Sequence, residues 1–261
     1  MTFNFNSAPF FQAQESRVIP EKTGLIKKID IVDKLKDLGG IIGENLSLGD
    51  FDQIGELTAR KNRDPQSDLY RNSGCFFRPN YERGLLMYSL VKKYQPKSFL
   101  EIGFGRGYVS LCVALAMQEN NFGTITTVDP NFNQDHLLRL QNSYPKEWFT
   151  RINFFQSTSE SFFDSKEAED QYDIIFLDGD HRYDAVKKDW DSTKERFKHV
   201  LVFDDYHLPE VNEKDIEVAS VVDHISEEYE KELVITDRRI FLDDRKLEGE
   251  LKYGMVCVTR K

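Results

Sequence analysis

Cysteine is scarce in this chain, and no apolar run is long. The three cysteines, Cys75, Cys112 and Cys257, are odd in number and far apart. That suits reduced thiols better than a disulfide framework, and none has metal-ligand spacing. The longest purely apolar stretch covers residues 111–117, well short of the roughly 20 residues a membrane helix needs. The opening MTFNFNSAPFFQ has neither the basic start nor the apolar segment of a secretory leader, so a cytoplasmic protein without membrane contact is expected. Positive charge is also short, with 35 Lys and Arg against 45 Asp and Glu giving a net charge of −10. Scattered basic residues in an acidic chain offer no footprint for a phosphate backbone. Nucleic acid is therefore not an expected partner, and a small molecule is. A homo-oligomer stays open.

What is present is an alternating pattern. Residues 1–80 are sparse in apolar positions and broken by Gly39, Gly40, Gly43, Gly49 and Gly55, which predicts an extension or cap rather than a self-sufficient domain. Residues 81–261 then read as one α/β domain. A helix is expected over 81–94, stopped by Pro96, and strands over 98–102, 124–128, 152–155, 173–177, 199–203, 233–236 and 253–258. Between them, Tyr183, Val186, Trp190, Thr193 and Phe197 fall at helical spacing, as do Val218, Val221, Val222, Ile225 and Tyr229. Strand and helix in alternation predict a doubly wound, Rossmann-like parallel sheet. The last two strands, joined by polar residues 243–252, predict an antiparallel C-terminal hairpin at its edge.

Two of the apolar runs end in acids: DIIFLDGDH brings Asp178, Asp180 and His181, and HVLVFDD brings Asp204 and Asp205. In an open α/β sheet, ligands collect at the carboxyl ends of the strands. Three carboxylates meeting there need a cation or a proton, and oxygen ligands suit Mg2+ or a similar hard ion rather than zinc. Asp178, Asp204 and Asp205 are the expected ligands. An ion lowers the pKa of a bound alcohol, and His181, three residues after Asp178, is placed to take its proton as general base. The plainer readings are solvated strand-end acids and a histidine satisfied by its own helix start. Asp180 is expected to cap the following helix, His199 to be structural and His207 to lie in a loop.

The first strand of the domain runs into Glu101-Ile-Gly103-Phe-Gly105-Arg-Gly107. Glycines let such a turn adopt strained dihedrals and let a ligand approach the backbone. The pattern is G-x-G-x-G, and Tyr108 stands where a dinucleotide fingerprint has its last glycine, which disfavours NAD. Glu101 points the same way, because a carboxylate there repels a pyrophosphate but can pair with an ammonium group. S-adenosylmethionine carries an ammonium and no phosphate. Asp129 ends the second strand, where it can accept from a ribose diol, and Ser157 with Thr158 ends the third, within reach of an adenine edge.

On these motifs, residues 81–261 resemble a class I S-adenosylmethionine-dependent methyltransferase, and the segment from Asp178 to Tyr183 with Asp204-Asp205 is similar to the metal-dependent O-methyltransferases of macrolide sugars. The resemblance implies Mg2+ on the acids matching Asp178, Asp204 and Asp205, a general base at His181, and an N-terminal segment closing over the acceptor site. The first acid of the later pair is often Glu in that family, so Asp204 shortens one arm. Residues 60–83 gather Arg60, Lys61, Arg63, Arg71, Arg78 and Arg83 among aromatics, either a solvated face or a lid that grips an anionic acceptor, with Arg71 and Arg78 as the preferred contacts. Methyl transfer to a hydroxyl of a sugar, natural product or phosphorylated or carboxylated metabolite is the leading expectation. Methylation of nitrogen or another heteroatom, and a non-catalytic cofactor-binding module with a structural ion, are the alternatives.

Overall fold

The computed structural model describes residues 26–39, 81–207, 216–235 and 253–261. Its centre is a set of parallel strands whose sequences leave no polar face. β5 (Tyr172–Leu177) is buried along its whole length, and β2 (Ser98–Ile102) along all but its first residue. Strands buried on both faces read as unbroken apolar runs because helices cover both sides. β3 (Thr124–Val128) and β4 (Ile152–Phe155) extend the sheet on one flank of β2, while β5 and β6 (Phe197–His207) extend it on the other. Beyond β6 come β8 (Tyr253–Arg260), β7 (Tyr229–Ile235) and β1 (Lys27–Asp30), completing eight strands in the order β1-β7-β8-β6-β5-β2-β3-β4.

Helices cover both faces. One core joins α1 (Ile31–Asp37), α2 (Tyr81–Tyr94), α3 (Tyr108–Asn120), α4 (Gln134–Ser143) and α5 (Lys146–Phe149) to the sheet. The other joins α6 (Ser159–Phe163), α7 (Tyr183–Thr193) and α8 (Val218–Val222). α3 is buried from Tyr108 through Met117, which explains why this stretch is apolar all round rather than striped. α2 stops where Gln95 takes a left-handed φ of 45° and donates its N–H to Val91 O. Pro96 follows and cannot extend the helix. Among the described residues no helix is long and apolar enough to cross a membrane.

The expected doubly wound sheet is therefore present, and so is the C-terminal antiparallel pair, with β7 and β8 in register from Tyr229↔Arg260 to Ile235↔Gly254. Three expectations change. The N-terminal 1–80 segment is not wholly a cap. β1 pairs in parallel with β7, and α1 buries Ile31 and Leu35 in the main core. β1 is only partly buried, as an edge strand is, and Lys27 donates to Glu232 on β7 at 2.8 Å. Residues 40–80, with Arg71 and Arg78, lie outside the described residues. Secondly, the helical face expected to run to Phe197 ends at Thr193, because Phe197 opens β6, and Tyr183 is exposed. Likewise α8 ends at Val222 and Tyr229 opens β7. Short turns carry the buried side across, so the apolar spacing outlasts the helix.

Candidate active site

At β2 the chain changes direction: it goes outward through β3 and β4, then returns to β5 on the other side of β2. Such a switch point leaves a crevice at the carboxyl ends of the strands. A cavity of about 1140 Å3 opens there among the described residues, lined by the glycine loop, Asp129, Thr158, Asp178, His181, Asp205 and His207.

The loop after β2 is pinned from three sides. Gly103 has φ 94°, and a Cβ there would fall on the carbonyl of Asp178 and lie 2.9 Å from the N of Gly179. Only glycine lets the β2 and β5 ends approach so closely. Gly105, at φ 52°, has nothing within 4 Å of its Cβ position, so its bare face borders the cavity and leaves a cradle for a ligand. Gly107, at φ 81°, forms the N-cap of α3. Asp129 closes the loop, its Oδ2 accepting the N–H groups of Phe104 and Gly105 at 3.0 Å each and its Oδ1 that of Asn131 at 2.7 Å. It lines the cavity, and it also clamps the loop, which its position alone did not announce.

Glu101 is placed differently from the open ammonium partner expected. It is 1% exposed, and its Oε2 accepts the hydroxyls of Ser110 and Thr127. Burial pushes its carboxyl up to about 7, against the lowering effect of those two bonds. It braces the floor of the crevice beneath α3. Thr158 lines the cavity, but its hydroxyl caps α6 by accepting the N–H of Ser161 at 3.2 Å. Ser157 is not among the lining residues and donates to the carbonyl of Thr158. Ribbon position was right here, and side-chain direction was set by capping.

The acid ends of β5 and β6 do converge. The ligand atoms of Asp178, His181 and Asp205 all lie within 4.8 Å of one another. Consecutive strand residues normally face opposite sides of a sheet. A register shift between Phe203 and Tyr206 against β8, with Asp205 at φ 49°, turns both Asp204 and Asp205 toward the same cation. That cation is the guanidinium of Arg83 on α2, 2.5 Å from Asp204 Oδ2 and 3.5 Å from both Asp178 Oδ2 and Asp205 Oδ1. Asp204 is 3% exposed and stands outside the converging trio. Burial raises the carboxyl of Asp178 to about 7 and that of Asp204 well above the usual range, while Arg83 pulls both down. His181 Nδ1 is 3.6 Å from Asp205 Oδ2, so its imidazole borders the trio either as a ligand or as a base.

Asp180 does not cap α7 in the expected way. Its Oδ1 accepts the N–H of Arg182 and its carboxylate pairs with that guanidinium, which lowers it to about 2. The Tyr183 N–H is taken instead by Glu217 Oε2 at 2.9 Å. His199 stacks on Tyr94 at 5.1 Å, a packing role. His207 belongs to β6 rather than a loop and stands 4.0 Å from Asp205 Oδ1. Arg83, Glu217 and Asp189 were not legible as site residues. Asp189 is buried against the cavity, and its carboxyl is raised to about 6 by burial. Its helical position on the inner side of α7 was the one available signal.

Comparison with known proteins concerns the domain and its fold. A family model described as a methyltransferase domain covers residues 100–206. No curated protein matches the sequence significantly. Among solved structures, the chain is similar to the O-methyltransferase TomG of Streptomyces achromogenes, involved in tomaymycin synthesis and solved with S-adenosylmethionine (TM-score 0.56, 11% identity, 88% of this chain and 96% of that one). It is also similar to an O-methyltransferase from Bacillus cereus in complex with S-adenosylhomocysteine (TM-score 0.53, 11% identity, 88% and 97%). At such identities the likeness is one of fold. Residues 100–206, with the glycine loop, Asp129 and the acid strand ends, thus match a methyltransferase-domain family model, and the chain shares the fold of these two O-methyltransferases.

Proposed function

We propose that the protein transfers a methyl group from S-adenosylmethionine to a hydroxyl of a small molecule, with a divalent ion such as Mg2+ held by Asp178 and Asp205 and with His181 beside it as general base. The observation that carries this reading is the convergence of those three side chains in the cavity that also borders the bare face of Gly105. The residues fit both groups. Two carboxylates suit Mg2+ or Mn2+, and Gly105 leaves backbone open to a cofactor beside acids that disfavour phosphate. The O-methyltransferase names of the two neighbours favour oxygen as acceptor atom.

A bound ion would polarise the acceptor hydroxyl and lower its pKa. The chain's own residues do the rest. Asp129 fixes the loop against which the cofactor lies, and Gly103 keeps the β2 and β5 ends in contact so that donor and acceptor share one cavity. His181 Nδ1, or His207 across Asp205, is available to carry the proton away. A small-molecule partner accords with the net charge of −10, and a cytoplasmic location remains part of this proposal.

The test measures S-adenosylhomocysteine release against a panel of hydroxylated acceptors, with and without chelator, for the native chain, Asp178→Asn, Asp205→Asn and His181→Ala. The acid variants are expected to lose turnover while keeping cofactor affinity. His181→Ala is expected to fall roughly 10²–10⁴-fold and to lose an ionisation from its pH–rate profile. Full activity in chelator would discard the metal.

A further inference from the structure

The acid cluster already holds a positive charge supplied by the chain itself. Arg83 stands in the first turn of α2, and its two terminal nitrogens reach Asp178, Asp204 and Asp205. The contacts are unequal. Asp204 is nearest, an ion pair at 2.5 Å whose Oδ2 takes no hydrogen bond, whereas Asp178 accepts a long hydrogen bond from the guanidinium at 3.5 Å and Asp205 stands at the same distance as an ion pair. Both longer contacts exceed the 2.7–2.9 Å or so of a strong charge-assisted hydrogen bond, and they are made by the two acids that converge with His181.

We infer that Arg83 is a built-in counter-ion that competes with a divalent ion for Asp178 and Asp205. The inference rests on the metal reading above and adds a device to it. Three carboxyl groups facing one guanidinium offer more oxygen ligands than it can hold, and the side chains of Asp178 and Asp205 remain 22% and 23% exposed, open to an ion from solvent. An ion ligated at about 2.1 Å by those two acids would bring two further positive charges beside the guanidinium. Each cation weakens the other's hold. Arg83 keeps Asp204, buried at 3% exposure, as its own partner, since a buried acid without a counter-charge is costly. The same pair keeps Asp204 out of the ligand set. The device lets the metal-free cluster stay folded at the expense of metal affinity.

The experiment titrates Mn2+ into full-length protein, reading free ion by electron paramagnetic resonance, for the native chain, Arg83→Gln and Arg83→Lys. Thermal unfolding is recorded in chelator and in Mn2+. Arg83→Gln is expected to bind Mn2+ at least tenfold more tightly than the native chain and Arg83→Lys within about threefold of it, on the rule that removing a charge a few ångströms away shifts binding by an order of magnitude or more. Arg83→Gln should melt lower than the native chain in chelator and recover more on adding Mn2+. If all three bind Mn2+ with equal affinity, or Arg83→Gln binds more weakly, the competition is overturned while the metal site stands. If none binds, the metal reading itself falls and the competition with it. Should Arg83→Gln fail to fold without metal, refolding in Mn2+ supports the inference, and failure to refold there overturns it.

Discussion

Carboxylates end neighbouring strands on both sides of the switch point, yet the two sides satisfy them in opposite ways. On the β2–β3 side, Glu101 takes two hydroxyl donors and Asp129 three backbone N–H groups. On the β5–β6 side, Asp178, Asp204 and Asp205 share one guanidinium, with His181 and His207 at 3.6 and 4.0 Å from Asp205. On the first side the acids already accept hydrogen bonds from the chain, Asp129 clamping the loop and Glu101 the floor beneath it. On the second side crowded acids have raised carboxyls, as at places where a cation or proton does chemistry. One fold thus sets a hydrogen-bonded side beside a charged side, and the proposed reading gives the first to the cofactor and the second to the acceptor.

The sharpest way to break the comparison is at Gly103, where the two sides touch. Gly103→Ala would press a methyl group onto the Asp178 carbonyl at a φ of 94°, a backbone position that no L side chain adopts cheaply. A loss of about 3–5 kcal/mol is expected, the range of severe backbone and packing lesions, together with loss of both cofactor and metal binding. Gly105→Ala, with open space around it, should leave the metal end untouched and impair the cofactor end alone. Denaturant unfolding and calorimetry read both. A Gly103→Ala protein with native stability would mean the two loops are not in contact.

Glu101 tests whether the hydrogen-bonded side is satisfied without cost. Its carboxyl titrates near 7 in the folded protein against about 4.5 for an ordinary glutamate, because burial outweighs its two hydroxyl donors. A raised acid means the folded state holds the proton longer than the unfolded chain. Stability therefore falls as pH climbs from about 4.5 to about 7 and stays lowered above that, by an amount on the order of 3 kcal/mol. Glu101→Gln removes this dependence, so its advantage over the native chain should grow across that window and level off beyond it. Urea unfolding of cofactor-free protein at pH 5, 6, 7 and 8 measures it, and parallel curves for the two proteins would show that Glu101 is not desolvated.

The same contrast governs what was legible in sequence. β2 to β5 came out within a residue because a strand buried on both faces has to be apolar throughout, as Ile174, Ile175 and Phe176 are, whereas β6 runs four residues past its expected end at Phe203. The glycine loop was legible because φ values of 94°, 52° and 81° leave little choice of residue. The acid end was legible in composition only. Asp204 and Asp205 look equivalent in a string, and the bulge that separates a buried partner of Arg83 from a converging ligand is a property of pairing with β8. Arg83 itself was one of six basic residues in 60–83, and nothing local distinguishes it from a solvated neighbour. Its role comes from α2 packing beside the strand ends. Ser110 and Thr127, which occupy Glu101, were invisible for the same reason: the bonds span 9 and 26 residues.

The smallest expected effect lies at the third strand's end, where sequence gave Ser157 and Thr158 the same part. The structure divides them. Thr158 accepts the Ser161 N–H, satisfying one of the orphan donors at the start of α6, and it lines the cavity. Ser157 donates only to its neighbour's carbonyl from an exposed position. Thr158→Ala should therefore cost about 1 kcal/mol, as loss of an N-cap does. It should also weaken cofactor binding a few-fold, by loosening the turn that borders the cavity. Ser157→Ala should do neither, staying within about 0.5 kcal/mol of the native chain, as surface changes do. Equal effects in the two variants, read by thermal unfolding and by cofactor titration, would return both hydroxyls to the cofactor and extend the organised side of the site across three strands instead of two.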